Sequence, residues 1–151
     1  MANGLCLCLR RRSGSGEDRD KRVCRSWNRC ALLGNLASKN DENATAIVSA
    51  EGIAAVVAGM RTFGSFTLMQ QKGCRGLANL AVNGEIQTAI ADAGGIEAVL
   101  AGMEVHTLIA GVQQTGCRAL RKLASDNEAN QLVIVRTQGI DAVVAGMGAK
   151  L

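Results

Sequence analysis

GIAAVVAGM, residues Gly52–Met60, occurs twice more in the chain, as GIEAVLAGM at Gly95–Met103 and as GIDAVVAGM at Gly139–Met147. The first and third copies agree at eight of nine positions, and successive copies begin 43 and 44 residues apart. We call these nine residues the signature. So close a match at a fixed period indicates a repeat protein, in which each unit buries its apolar face against its neighbours.

Two further segments recur with the signature. A short helical pattern precedes each copy, at Ala44–Ala50, Ile86–Ala93 and Asn130–Thr137. A longer one ends in CALLGNLA (Cys30–Ala37) and again in CRGLANLA (Cys74–Ala81) and CRALRKLA (Cys117–Ala124). Cysteine and leucines spaced by three in these segments form one face of an amphipathic helix. Each unit of about 43 residues is therefore predicted to contain two short helices and one long helix.

The links between units are rich in Asn, Asp and Ser, as in SKNDEN, VNGE and SDNEAN. These residues are favoured at helix N-caps. Each short first helix ends near glycine, at Gly52, at Gly94 with Gly95, and at Gly139, which is a natural helix stop. These signals predict helix boundaries in all three units.

Three helices in a unit of this length resemble the armadillo family, and IADAGGIEAVLAGM and CRGLANLA resemble that family's second and third helices. The resemblance covers residues 23–151. It implies an all-α, right-handed α-solenoid that is incomplete at both ends, with a partial repeat 23–38, repeats 39–81 and 82–124, and a truncated repeat 125–151. The family's proline after Ile is replaced by Ala54, Glu97 and Asp141. Several glycines also lie inside the expected helices and predict a soft array.

In armadillo arrays the third helices line a concave groove, and the resemblance implies that their exposed side chains bind an extended peptide or partner protein. The family's groove asparagine matches Asn35 and Asn79, with Lys122 in the third copy. The equivalent positions one and two turns earlier complete the predicted partner-binding set: Trp27, Asn35, Gln71, Arg75, Asn79, Gln114, Arg118 and Lys122. Amide side chains can hydrogen-bond both the N–H and the C=O of a peptide backbone.

Arg75 and Arg118 lie where importin-alpha-like proteins carry the tryptophans that hold basic side chains. Together with Arg121 and Lys122 they predict an acidic or phosphorylated partner. The alternative for these residues is an ordinary solvated helix face. Because no nuclear-localisation peptide fits two arginines, the sequence predicts a scaffold of another kind.

The net charge of +4 is unevenly distributed. Residues 1–29 hold eight basic and three acidic residues, whereas residues 30–151 hold nine and ten. Residues 1–22 are predicted to be a disordered basic tail, and nucleic-acid binding by the repeats is not expected. Cys6 and Cys8 beside Arg10–Arg12 leave a second function open, that of an adaptor tethered to a membrane by cysteine acylation.

Cys30, Cys74 and Cys117 occupy one position in successive units, about 10 Å apart by helix packing and too far apart for a disulfide. Buried free thiols favour a reducing compartment, the cytosol or nucleus. His106 is the only histidine, and no catalytic set, metal site, phosphate-binding loop or cofactor motif is recognisable. The sequence therefore predicts a non-catalytic protein, with a fragment of a longer array as a further alternative.

Overall fold

The computed structural model describes residues 15–148, and within that range the chain is all-α, with nine helices and no strand. The helices follow the repeat pattern, with α1 corresponding to the end of a unit and α9 to the third signature. Their bounds are α1 Ser15–Ala37, α2 Asp41–Ser49, α3 Gly52–Thr62, α4 Thr67–Leu80, α5 Gly84–Asp92, α6 Gly95–Val105, α7 Ala110–Ala124, α8 Glu128–Arg136 and α9 Gly139–Gly148.

The predicted order of short, signature and long helices is confirmed. The three signatures form α3, α6 and α9, and short helices α2, α5 and α8 precede them. The long helices α4 and α7 follow the first two signatures. The short helices begin two or three residues earlier than the apolar pattern alone suggests, because each starts directly after a capping asparagine.

The predicted N-caps are confirmed at Asn40, Asn83 and Asn127. In each case the side-chain oxygen accepts a hydrogen bond from the backbone N–H three residues later, at 2.9, 2.9 and 3.0 Å. Each bond satisfies one of the N–H groups that a first helical turn leaves unpaired. The polar links therefore start the first helix of every unit in the same way.

Between the first and second helices the chain turns through one left-handed residue. That residue is Glu51, Gly94 or Gln138, with φ of 59°, 79° and 60°. The signature glycine comes immediately after the turn and packs against the isoleucine of the preceding helix. A Cβ on Gly95 would lie 2.8 Å from the carbonyl oxygen of Ile90, and Gly52 and Gly139 face Ile47 and Ile134 in the same way.

Helices three places apart along the chain pack against each other. Helix α4 packs between α1 and α7, helix α6 packs between α3 and α9, and α5 packs on α8. One core of Ala, Val, Ile, Leu, Met and Cys side chains runs continuously through these contacts. The long and signature helices therefore pack against the equivalent helices of the neighbouring unit, and of the short helices α5 and α8 do so.

The glycines inside the helices are points of close approach. Met60 packs on Gly73 and Met103 packs on Gly116, with each sulfur 2.5 Å from where a Cβ would be. A Cβ on Gly34 would lie 3.0 Å from the Cα of Gly76, so α1 and α4 meet closely there. These glycines therefore make room for neighbouring side chains and backbone, and the softness of the array stays a prediction.

Helix α1 begins at Ser15, so the prediction of a disordered tail through residue 22 is corrected over its last eight residues. Glu17 and Asp18 lie in the first turn of α1, where acids favour helix formation. They also pair one turn later, Glu17 with Lys21 at 2.6 Å and Asp18 with Arg22 at 3.4 Å. The Cys6, Cys8 and Arg10–Arg12 segment of the membrane-tether hypothesis lies outside the described residues.

Candidate functional site

The residues predicted to bind a partner all lie on α1, α4 and α7, which pack side by side. Five of their side chains are exposed: Asn35, Arg75, Gln114, Arg118 and Lys122. Trp27, Gln71 and Asn79 are half-buried. We call the exposed surface of these three helices the long-helix face.

Basic residues on α4 and α7 are not balanced by acids on the same helices. The two helices carry Lys72, Arg75, Arg118, Arg121 and Lys122, and neither contains an Asp or Glu. The short and signature helices, in contrast, carry eight acidic residues and only two basic ones, Arg61 and Arg136. Basic and acidic residues nearly balance along this part of the sequence. In the structure the basic residues lie on the long helices, and the acidic residues lie mostly on the short and signature helices.

The arginine pair is accessible. Arg75 and Arg118 are exposed at equivalent positions on neighbouring helices. Within residues 15–148 the ion pairs closer than 4.0 Å are those of Lys21 and Arg22 in α1, so neither arginine has a carboxylate partner at that distance. An arginine guanidinium in this state can form charge-assisted, bidentate bonds with a carboxylate or phosphate.

A small pocket between α1 and α4 brings two of the predicted residues together. Asn35 and Arg75 both line it, with Lys72, and its volume of about 40 Å³ is enough for a water molecule. Trp27, Gln71 and Gln114 do not line this pocket. Lys72 was not predicted as a site residue, because the equivalent residues in the other units are Asn28 and Thr115.

The side chain of Asn79 takes part in a contact between two helices. Its Nδ2 donates a hydrogen bond of 2.9 Å to the carbonyl oxygen of Gly34 and so joins α4 to α1. The Nε1 of Trp27 donates to Asn28 Oδ1 at 3.1 Å, and the side chain of Gln71 packs on Gly111 of α7. Asn79 and Gln71 therefore contribute to contacts between helices, and Trp27 packs against the core. Of the predicted amide side chains, the exposed ones are Asn35 and Gln114.

Two buried glutamines hold the long helices in place, and the sequence analysis did not single them out. Gln70 Nε2 donates to the carbonyl oxygens of Met60 and Phe63, at 3.0 and 3.2 Å. Gln113 Nε2 makes the same pair of bonds with Met103 and His106, at 2.7 and 3.1 Å. The signal was present as the Gln-Gln pair at the same place in two units.

The repeated cysteines are poor nucleophiles. Cys30 and Cys74 are buried free thiols and Cys117 is a half-buried one. Burial raises the pKa of Cys30 to about 11 and that of Cys74 to about 12, and it also raises the pKa of Cys117. Cys24 does not lie at the repeated position, and it is disulfide-bonded.

His106 lies in the link after α6 and packs against the link of the preceding unit. Its Nε2 is 2.9 Å from the carbonyl oxygen of Gly64. No group of three His, Cys, Asp or Glu side chains in the described part of the chain is arranged to hold a metal ion. His106 has no histidine counterpart in the other units, and it connects the link after α6 to the link after α3.

Among the described helices, none is by itself long and apolar enough to cross a membrane, and α2 with α3 reach that length and composition only across a 72° bend. Comparison with known proteins gives no relative on which to base a function: no protein-family model, no curated protein and no solved structure matches this chain.

Proposed function

We propose that this chain is a right-handed α-solenoid of armadillo-type repeats and acts as a non-catalytic scaffold that binds an extended acidic peptide along the long-helix face. The packing of equivalent helices at every third position supports the solenoid. The observation that carries the function is the set of five basic residues and no acidic residue on α4 and α7.

The spacing of the arginines suggests which peptides fit. Packed helices lie about 8–10 Å apart, so Arg75 and Arg118 repeat at about that interval across the face. A polyproline-II segment advances about 3.1 Å per residue and brings every third side chain to one side. An acidic or phosphorylated residue at every third position would therefore meet successive arginines, and Asn35 and Gln114 would hydrogen-bond the peptide backbone.

The location that goes with this proposal is the cytosol or nucleus. The free thiols of Cys30, Cys74 and Cys117 support it, because unpaired buried cysteines are typical of reducing compartments, whereas the disulfide bond of Cys24 counts against it.

The test uses fluorescence anisotropy with a labelled Gly/Ser peptide that carries Glu at every third position. The double variant Arg75→Glu/Arg118→Glu should lower the affinity at least tenfold, by replacing attraction with repulsion. The matched control is Lys39→Glu/Arg136→Glu, which makes the same charge change on exposed residues outside α4 and α7 and should leave binding within about twofold, apart from a weak long-range effect.

Equal affinities for the two double variants would reject the long-helix face as the binding site. A scrambled peptide with clustered Glu tests the spacing, and single-stranded RNA tests whether the surface binds polyanions in general. RNA that binds tighter than the peptide and loses its binding in Arg75→Glu/Arg118→Glu would assign the face to nucleic acid.

A further inference from the structure

The small pocket between α1 and α4 lies where equivalent residues of the long helices differ in size. Helix α1 lines it with Ala31 and Gly34. Helix α4 packs on α7 as α1 packs on α4, and at the equivalent positions it carries the larger residues Arg75 and Ala78. Ala31 and Gly34 therefore leave room that larger side chains would take at the next interface. We call this space the α1–α4 pocket.

Two positive charges on α4 border the α1–α4 pocket. Lys72 and Arg75 both line it, and residues three apart on a helix lie on the same face. Asn35 lines the pocket from α1, and the other lining residues are a cysteine, an alanine and two glycines. Because none of these lining residues is an acid, the pocket suits an anionic group.

The two cations are free to bind such a group. Within residues 15–148 the ion pairs closer than 4.0 Å belong to Lys21 and Arg22, so neither Lys72 nor Arg75 has a carboxylate partner at that distance. Lys72 is half-buried and Arg75 is exposed. Since partly buried charges are screened less by salt than exposed ones, the attraction of Lys72 for an anion persists at physiological ionic strength.

Helices α1 and α4 are held closely together beside the pocket. Gly34 and Gly76 both line it, and a Cβ on Gly34 would lie 3.0 Å from the Cα of Gly76. Asn79 Nδ2 also donates a hydrogen bond of 2.9 Å to the carbonyl oxygen of Gly34. The pocket therefore has its shape before a ligand binds, which lowers the entropic cost of binding.

The size of the pocket distinguishes a phosphoryl group from a carboxylate. Its volume of about 40 Å³ accepts one water-sized group, and so one oxygen atom of an anion. A phosphate monoester carries three acceptor oxygens and a charge of about −1.5 to −2, whereas a carboxylate has two oxygens and a single charge. With one oxygen in the pocket, a phosphoryl group keeps two for Lys72 and Arg75, and a carboxylate keeps only one.

We propose that the α1–α4 pocket binds the phosphoryl group of a phosphoserine in the peptide held by the long-helix face. This inference rests on the proposed function and names the residue that anchors the peptide. Lys72 and Arg75 bind the phosphoryl oxygens, and the amide of Asn35 donates a further hydrogen bond. The rest of the peptide extends from the pocket toward Arg118 of α7, so phosphorylation of the partner controls its affinity.

The test compares two labelled Gly/Ser peptides by fluorescence anisotropy. Both carry Glu at every third position, and in one of them a single Glu is replaced by phosphoserine. The unmodified chain should bind the phosphoserine peptide at least about tenfold tighter, which is the gain expected from one more charge-assisted hydrogen bond. The ratio of the two affinities is the readout, because general charge effects change both affinities together.

Two variants should remove this preference by different routes. Lys72→Gln removes a charge at the pocket, and Ala31→Leu fills the pocket without changing any charge. In each variant the two affinities should differ by less than about threefold, because a phosphoryl group without its pocket contacts gains only from screened charge. Circular dichroism checks that both variants keep their helices.

Lys122→Gln is the matched control. Lys122 is exposed on α7, and the variant removes the same charge from the long-helix face without touching the α1–α4 pocket. It should lower the affinity of both peptides by a similar factor and leave their ratio unchanged. A loss of the preference in Lys122→Gln equal to that in Lys72→Gln would show that the preference follows total charge, and would overturn the proposal.

The proposal and the proposed function fail in different ways. Equal affinity of the unmodified chain for both peptides, with binding still lost in Arg75→Glu/Arg118→Glu, would overturn the phosphoserine pocket and leave the acidic-peptide scaffold standing. Binding of neither peptide would overturn both. Displacement of the phosphoserine peptide by an equal concentration of inorganic phosphate would assign the pocket to the free anion instead.

Discussion

Gly95 shows why the signature starts with glycine. Its Cα lies against the last turn of α5, and an added Cβ would meet both the side chain and the carbonyl oxygen of Ile90. Because a carbonyl of the helix backbone cannot move aside cheaply, we expect Gly95→Ala to reduce the free energy of unfolding by about 1–3 kcal/mol, which is typical of an overpacked core. Urea denaturation followed by circular dichroism measures this loss.

Gly84→Ala is the matched control, because a Cβ at Gly84 would have no atom within 4 Å. It should leave stability unchanged or raise it slightly, since alanine favours helix over glycine. Equal stability of the two alanine variants would show that the contact with Ile90 does not constrain residue 95.

Gly52, Gly95 and Gly139 were predicted as helix stops. In the structure they are the first residues of the signature helices, and the left-handed turn lies one residue earlier. Only Gly94 fills that turn with glycine, whereas Glu51 and Gln138 adopt it at the other two places. A close contact with an isoleucine five residues earlier depends on how two helices meet, which the pattern of one helix does not contain.

At the scale of helices, the buried glutamines connect the end of a signature helix to the long helix that follows it. Gln70 donates to two carbonyl oxygens at the end of α3. In Gln70→Met both carbonyls would lose that donor in a buried position, so we expect a loss of about 1–3 kcal/mol. Thermal or urea unfolding measures it.

Gln114→Met is the control for this change. Gln114 is exposed and lies next to Gln113, the counterpart of Gln70, so the same substitution there should change stability by less than about 0.5 kcal/mol. An equally small effect of Gln70→Met would mean that water replaces the lost hydrogen bonds.

Helix order was predictable because three independent signals coincide: apolar residues at helical spacing, asparagines before the first helices, and a repeat that allows each unit to check the others. The extension of α1 to Ser15 was not predicted, because those residues have no equivalent in the other units. The prediction that they are disordered came from their composition, and composition does not show that Glu17 and Lys21 are one helical turn apart.

At the scale of the whole molecule, equivalent helices should differ in stability according to their place in the array. Ile96, Leu100 and Met103 of α6 are 0%, 7% and 1% exposed, whereas Ile140, Val144 and Met147 of α9 are 57%, 58% and 80% exposed. Since local opening is easiest where little apolar surface is buried, α8 and α9 should exchange amide hydrogens at least tenfold faster than α5 and α6.

Hydrogen–deuterium exchange at low protein concentration measures this difference in the isolated chain. The same measurement at a higher protein concentration serves as the control, because the gradient should not change if it belongs to the single chain. Similar protection of α6 and α9 at both concentrations would mean that the exposure of α9 does not determine its local stability.

The helices that carry the candidate residues were predictable from the sequence, but the contacts of the individual side chains were not. Repeat alignment placed all eight residues on the long helices, and the structure confirms that these helices pack side by side. Repeat alignment could not show that the side chain of Asn79 is hydrogen-bonded to the carbonyl oxygen of Gly34, because that contact joins two units. A count of charge along residues 30–151 also conceals that α4 and α7 are purely basic while the acids lie on the other helices.

The methionines that end the signatures make this architecture sensitive to oxidants at one place. Met60 and Met103 are enclosed against glycines, and a sulfoxide oxygen there would have no room. Met147 has the same sequence context but reaches solvent. Oxidation converts methionine to a polar side chain and is reversible by reductases, so the exposed end could change from apolar to polar while the interior of the array stays intact.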